Sequence, residues 1–236
     1  MAALAPEPFY ERMDKQRLQE LPLVSFTGTI ELVDKQRDLI GVVRALRGHR
    51  RLGFDTESKP VFRRDQESRP PALVQLASRK KAWLFPLRQL EDPRELFALL
   101  ADPDIEKVGV APHDDIKGLQ RILDFTAAGF TDLSRIAAER GIQTTGLRNL
   151  SGLLLGARVS KSAQVSNWEQ NPLTRKQIRY AATDAWVSLR LLEELERRPG
   201  RALPLPVEAP AGDEAETTGE GEATDPASLP PARRRA

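Results

Sequence analysis

The sequence predicts an α/β protein built on a mixed β-sheet covered by α-helices. Three observations carry that expectation. Two short apolar runs, residues 72–77 and 81–85, are joined by the turn Ser78-Arg79-Lys80 and read as a β-hairpin beside a third apolar run at residues 51–57. Further on, helical periodicities alternate with another short apolar run at residues 107–110, the pattern of parallel strands covered by helices. The chain of 236 residues, 40% hydrophobic and 30% charged, is long enough for one well-cored domain.

Composition excludes several chemistries. With no cysteine, disulfides, thiol nucleophiles and cysteine zinc sites are absent, and His49 and His113 alone cannot build a multi-histidine centre. Any metal must therefore sit among carboxylates. No apolar run approaches the roughly 20 residues of a membrane span, and Pro6-Glu7-Pro8 interrupts any signal-peptide core, so the expectation is a cytoplasmic protein that is not exported and does not bind membranes. The net charge is only +2, but acids outnumber arginines in residues 201–236, which leaves a mild basic bias in the rest, compatible with a polyanionic partner.

Taken in order, residues 8–20 carry Phe9, Met13 and Leu18 among charges and predict a short helix stopped at Leu21-Pro22. Residues 24–33 read as extended segments around a turn at Gly28. Asp34 is the expected N-cap of a helix to Leu46 with Leu39, Val42, Val43 and Leu46 on one face, closed by Gly48. The run at 51–57 follows, then a loop at 58–71 holding Lys59, Phe62, Arg63, Arg64 and Arg69, either a solvated charge run or a set of phosphate contacts. After the hairpin, Asp92-Pro93 opens a helix to Leu100, with the proline in its first turn. Asp114 and Asp115 begin a helix whose apolar positions are Ile116, Leu119, Ile122 and Leu123. Asp132 caps another to Arg140, and a leucine-rich helix from Leu147 ends at Gly156. A polar segment, 157–171, holds Arg158, Lys161, Asn167 and Trp168, and a long helix runs from Thr174 to Arg197 with Ala181, Ala182 and Ala185 allowing close approach to the sheet. Residues 199–236 are Pro-, Gly-, Ala- and acid-rich and predict a disordered tail.

Three places carry candidate chemistry. Asp55 and Glu57 are spaced i, i+2 at the end of a strand, so both project from one face, where two like charges call for a hard divalent cation unless they are simply solvated. Asp114 and Asp115 suit a helix start, which by itself reads as a double cap. Tyr180 and Asp184 share a helix face one turn apart.

These positions, with Gly53-Phe54-Asp55-Thr56-Glu57, Ala72-Leu73-Val74-Gln75-Leu76, Val108-Gly109-Val110 before Asp115, Ser166-Asn167-Trp168 and Tyr180-Ala181-Ala182-Thr183-Asp184-Ala185, resemble the DEDD superfamily of 3′–5′ exonucleases over roughly residues 20–197. The branch is that of ribonuclease D and the Werner syndrome exonuclease domain. Tyrosine at 180 and arginine at 179 match the tyrosine type of that superfamily.

The resemblance implies a ribonuclease H-like mixed sheet of antiparallel hairpin strands plus parallel strands, within a domain at 23–198 preceded by an N-terminal helical extension at 1–22. It implies Asp55, Glu57, Asp115 and Asp184 as ligands of two divalent ions, Mg²⁺ or Mn²⁺, with Asp115 preferred to Asp114. Asp55 would bridge the ions, and Tyr180 would orient the attacking water. The implied activity is stepwise hydrolysis from the 3′ end of DNA or RNA, releasing 5′-mononucleotides, with no obligate protein partner. Lys59, Arg63, Arg64, Arg69, Lys161, Asn167 and Trp168 are the candidate strand contacts, Trp168 either stacking on a base or anchoring the core. The competing expectation is a nucleic-acid-binding module that kept the fold and lost the chemistry, and a general scaffold for protein contacts leaves the acids unexplained.

Overall fold

The structure, a computed structural model, describes residues 9–61, 68–198 and 200–201. Its centre is a six-stranded sheet in the order β1-β4-β3-β2-β5-β6. The strands are β1 (Thr29–Leu32), β2 (Arg51–Glu57), β3 (Leu73–Ala77), β4 (Lys81–Pro86), β5 (Glu106–Gly109) and β6 (Phe130–Asp132). The expected hairpin is present: β3 pairs antiparallel with both β2 and β4, placing Asp55 opposite Gln75 and Glu57 opposite Leu73. The remaining pairs, β1 with β4, β2 with β5 and β5 with β6, are parallel, so the sheet is mixed as predicted.

Alternation along the strands sorts the core into two faces. Leu52, Phe54, Val74, Leu76, Trp83 and Phe85 bury one face under α2 (Gln36–Leu46) and α3 (Arg94–Leu100). On the opposite face Leu73, Ala77, Ala82 and Leu84 meet Ala181, Ala182 and Ala185 of the long helix α7 (Arg175–Arg197). Between them in sequence come α4 (His113–Gln120), α5 (Leu133–Glu139) and α6 (Leu147–Leu155). The last two pack on α7 through Leu133, Leu150, Leu154, Val187 and Leu191. No helix among the described residues is long and apolar enough to cross a membrane.

Local chemistry sets most of the element ends. Thr174 and Gln177 form a reciprocal capping box at the start of α7, Asp132 caps α5 by accepting from the Ser134 N–H, and Gly156 closes α6 in the left-handed conformation at φ 61°. Four expectations need correction. The first helix, α1, is only Lys15–Glu20, because Asp14 caps it and the preceding segment is extended, with Phe9 buried in the core and the Glu11 carbonyl bonded to the Gln143 N–H. Asp34 is not a cap: Lys35 holds that position without a side-chain bond, and Gln36 instead ties both polar groups of its amide to the Asp92 backbone. Pro93 stands at the N-cap of α3 and not in its first turn, with Asp92 accepting from the Arg94 N–H. The strand expected at 107–110 begins and ends one residue earlier. Of the predicted tail only Gly200 and Arg201 lie within the described residues.

Candidate active site

The four acids arrive on three elements. Asp55 and Glu57 project from β2 toward α7, and Asp184 meets them from that helix. Carboxylate oxygens of the three residues all lie within 4.8 Å of one another. Such closeness depends on small residues: Ala181, Ala182 and Ala185 on the helix, and Gly53 on the strand, where the carbonyl of Ala185 takes the space a side chain would fill. Asp115 comes from the first turn of α4, and its carboxylate accepts a hydrogen bond from the Thr56 hydroxyl at 2.5 Å. Its neighbour Asp114 turns away into solvent, with a side chain 94% exposed and Lys117 at 3.9 Å. The turn that delivers α4 is strained: Ala111 sits at φ 51°, and the Asp132 carboxylate holds its N–H at 3.0 Å.

The electrostatics are those of like charges forced together. Burial, followed by the fields of Asp184 and Asp115, raises the proton affinity of Asp55 well above the ordinary carboxylate range. Glu57 is pushed up to about 10 by burial and then by Asp55, Asp184 and Asp115. Asp184 rises to about 7 through burial, opposed by a hydrogen bond from the Tyr180 hydroxyl. Asp115 is also raised by burial, against the pull of its Thr56 bond. The Tyr180 phenol is driven well above its usual value by burial and then by Asp184 and Glu57, so it stays a neutral donor. Among the described residues no Lys or Arg pairs with any of Asp55, Glu57, Asp115 or Asp184. A half-buried carboxylate cluster without a protein cation is a donor set fitted to hard divalent metals, which take all-oxygen ligation.

Asp55, Glu57 and Asp184 line a cleft of about 410 Å³, and Asp115 stands behind it on Thr56. Its walls include residues that no sequence pattern singled out: Arg148 and Asn149 from the start of α6, and Ser160 and Gln164 from the segment before α7. Within the leucine-rich periodicity of 147–155 the first two read only as the polar side of a helix. Thr56 was equally hidden, since alternation points it away from the acids on either side of it.

The expected strand contacts divide. Lys59 and Arg69 converge on Glu169, at 3.4 and 3.3 Å, and Arg88 joins them at 3.0 Å. Arg63 and Arg64 lie outside the described residues. Lys161 and Asn167 are exposed. Trp168 is not available to a base: it is only 2% exposed, packed with Leu73, Leu84 and Ala181, and its ring lies 5.9 Å from that of Tyr180. Gln177 explains the burial, because its amide donates to Ser166 Oγ and to the Asn167 carbonyl and so folds the Ser166-Asn167-Trp168 segment onto the start of α7.

Comparison with known proteins shows the same pattern. A family model described as 3′-5′ exonuclease matches residues 30–198. The mouse bifunctional 3′-5′ exonuclease/ATP-dependent helicase WRN is 33% identical over 149 residues, covering 61% of this chain and 11% of that protein. Ribonuclease D of Gluconacetobacter diazotrophicus is 34% identical over 173 residues, covering 70% of this chain and 43% of that one. Among solved structures the exonuclease domain of Aedes aegypti Nibbler superposes with a TM-score of 0.67 at 25% identity, covering 74% of this chain and 92% of that domain. Escherichia coli RNase D, at 24% identity and a TM-score of 0.62, shares the fold, matching 71% of this chain and 45% of its own. The chain spans between 11% and 25% of the mouse helicase and of an exonuclease 3′-5′ domain-containing protein of Drosophila melanogaster.

Proposed function

The chain belongs to the 3′–5′ exonuclease family, and from that premise we propose that it hydrolyses the terminal phosphodiester bond of a polynucleotide strand, step by step from the 3′ end, releasing 5′-mononucleotides. The observation that carries this reading is the convergence of Asp55, Glu57 and Asp184 within 4.8 Å, with Tyr180 bonded to Asp184 and Asp115 beside them. A binding module without chemistry has no use for four carboxylates held together against their own repulsion.

Asp55, Glu57 and Asp184, with Asp115, would hold two divalent cations, Mg²⁺ or Mn²⁺. When bound, such ions supply an activated water at neutral pH and neutralise charge on the attacking and leaving oxygens. The protein's own groups do the rest. Partial burial weakens the screening of the acids by bulk water, which strengthens their field on whatever occupies the cleft. Thr56 fixes the rotamer of Asp115. Tyr180, held protonated with its one O–H given to Asp184, orients the attacking water through the lone pairs of its oxygen. Of the cations gathered on Glu169, Lys59 follows Glu57 by two residues, and we assign Lys59, Arg69 and Arg88 to the phosphates of the strand beyond the reacting bond.

The test uses the full chain with Mn²⁺ or Mg²⁺ on DNA and RNA strands labelled at either end. Stepwise shortening of the 5′-labelled strand, with immediate release of a labelled mononucleotide from the 3′-labelled one, is the expected result. Internal cuts, or shortening from the 5′ end, would refute it.

A further inference from the structure

Among the described residues that line the cleft, the acids leave one cation unused. Arg148, in the first turn of α6, lines the same cavity as Asp55, Glu57, Tyr180 and Asp184. Among the described residues it makes no ion pair and no hydrogen bond, and its Nε is buried without a partner. The contrast with other arginines is direct: Arg51 grips Glu106 and Glu196, Arg79 grips Glu193, and Arg69 and Arg88 share Glu169. A guanidinium whose Nε is buried without a partner is costly unless an anion completes it, and the three carboxylates of the same cleft do not. Around it, the start of α6 adds to the same polarity. Gly146 caps that helix without a side-chain bond, no acid stands in its first turn, and residues 146–149 all line the cavity, so the positive end of the helix dipole lies at its wall.

We propose that Arg148 is the phosphate grip of the site: its guanidinium takes non-bridging oxygens of the scissile phosphate and keeps hold of the 5′-phosphate of the released nucleotide. This rests on the exonuclease reading. A guanidinium presents a planar fork of N–H donors that matches two phosphate oxygens, and it stays charged throughout. During the reaction the water oxygen bonds to phosphorus as the bond to the 3′-oxygen breaks, and the leaving oxygen takes up a proton. Arg148 forms no bond and gives up no proton. It acts by holding the charge on the non-bridging oxygens opposite the carboxylate wall, which aligns phosphorus between nucleophile and leaving group.

The experiment compares the full chain with its Arg148→Gln and Arg148→Lys variants. Steady-state cleavage of an oligonucleotide and equilibrium binding of adenosine 5′-monophosphate and adenosine, both with Mn²⁺, are measured on each. Arg148→Gln should lower kcat/KM by about 10²-fold, the scale of losing one charge-stabilising donor, and Arg148→Lys should recover part of it. The wild-type chain should bind the monophosphate better than the nucleoside, and Arg148→Gln should erase that preference while leaving adenosine binding unchanged. Normal cleavage with an intact preference for the monophosphate in Arg148→Gln overturns the proposal, as does an equal loss of both ligands. If the wild-type chain cuts no strand at all, the exonuclease reading fails, and the binding comparison still decides whether Arg148 holds phosphate.

Discussion

The carbonyl of Ala185 occupies the space that a side chain on Gly53 would need, so helix and strand touch backbone to backbone. The residues next to that contact are Asp184 on α7 and, two positions along β2, Asp55. The missing side chain of Gly53 is thus what lets acids from two distant parts of the chain share one site. Gly53→Ala should push α7 off the sheet, at a cost of at least the ~1–3 kcal/mol typical of an overpacked core. Thermal unfolding measures the loss, and divalent-metal affinity should weaken with it. A variant with unchanged melting temperature and metal affinity would show that the contact has no such role.

Acidification should stabilise the metal-free protein. Asp55, Glu57 and Asp184 have proton affinities raised above those of the unfolded chain, to about 10 for Glu57 and about 7 for Asp184. Above the ordinary carboxylate pKa near 4 the folded state therefore holds more protons than the unfolded one. Stability is full below that value and is lost as pH rises through the folded values, by up to about 1.4 kcal/mol per pH unit for each group. The melting temperature of metal-free protein should fall between pH 5 and pH 8, and saturating Mg²⁺ should remove most of the fall. Asp55→Asn should flatten the profile and abolish cleavage while the fold persists. A melting temperature that climbs across this window would contradict the assignment.

Tyr180→Phe separates the hydroxyl from the ring. The ring packs against Trp168 and is kept, so stability should change by less than about 1 kcal/mol. The hydrogen bond to Asp184 and the oxygen that orients the attacking water are lost. Single-turnover cleavage at saturating Mn²⁺ should slow by about 10²-fold with strand affinity retained, as expected for an interaction made chiefly in the transition state. An unchanged rate would make the tyrosine purely structural.

Trp168 should behave as a core residue. Trp168→Ala leaves a large void beneath Tyr180 and should cost about 3–5 kcal/mol, read as a lowered melting temperature. Trp168→Phe keeps much of the packing and removes an indole N–H that has no partner among the described residues, so it should fold and bind a single strand as the wild type does. If the phenylalanine variant folds normally but loses strand affinity, the ring contacts bases after all.

What the sequence by itself determined is what rests on neighbours along the chain. The period of two placed Asp55 and Glu57 on one face of a strand, the Ser78-Arg79-Lys80 turn predicted a hairpin, and Thr174, Asp132 and Gly156 marked helix ends by bonds reaching only a few residues. Tertiary structure decided everything that depends on which distant groups meet. As helix-start residues Asp115 and Asp114 look alike, and the resemblance alone prefers Asp115; in the structure the Thr56 hydroxyl, 59 residues away, holds Asp115 while Asp114 faces solvent beside Lys117. Trp168 lies in a polar segment, yet Gln177 draws that segment onto α7 and buries the ring. Arg148 sits in a leucine-rich helix with nothing beside it in sequence to suggest a cleft, and its position across from the acids follows from how α6 packs on α7. Periodicity and capping are local energies that a single chain segment expresses alone, whereas a site made of charges is fixed by burial and by partners that only packing brings within reach.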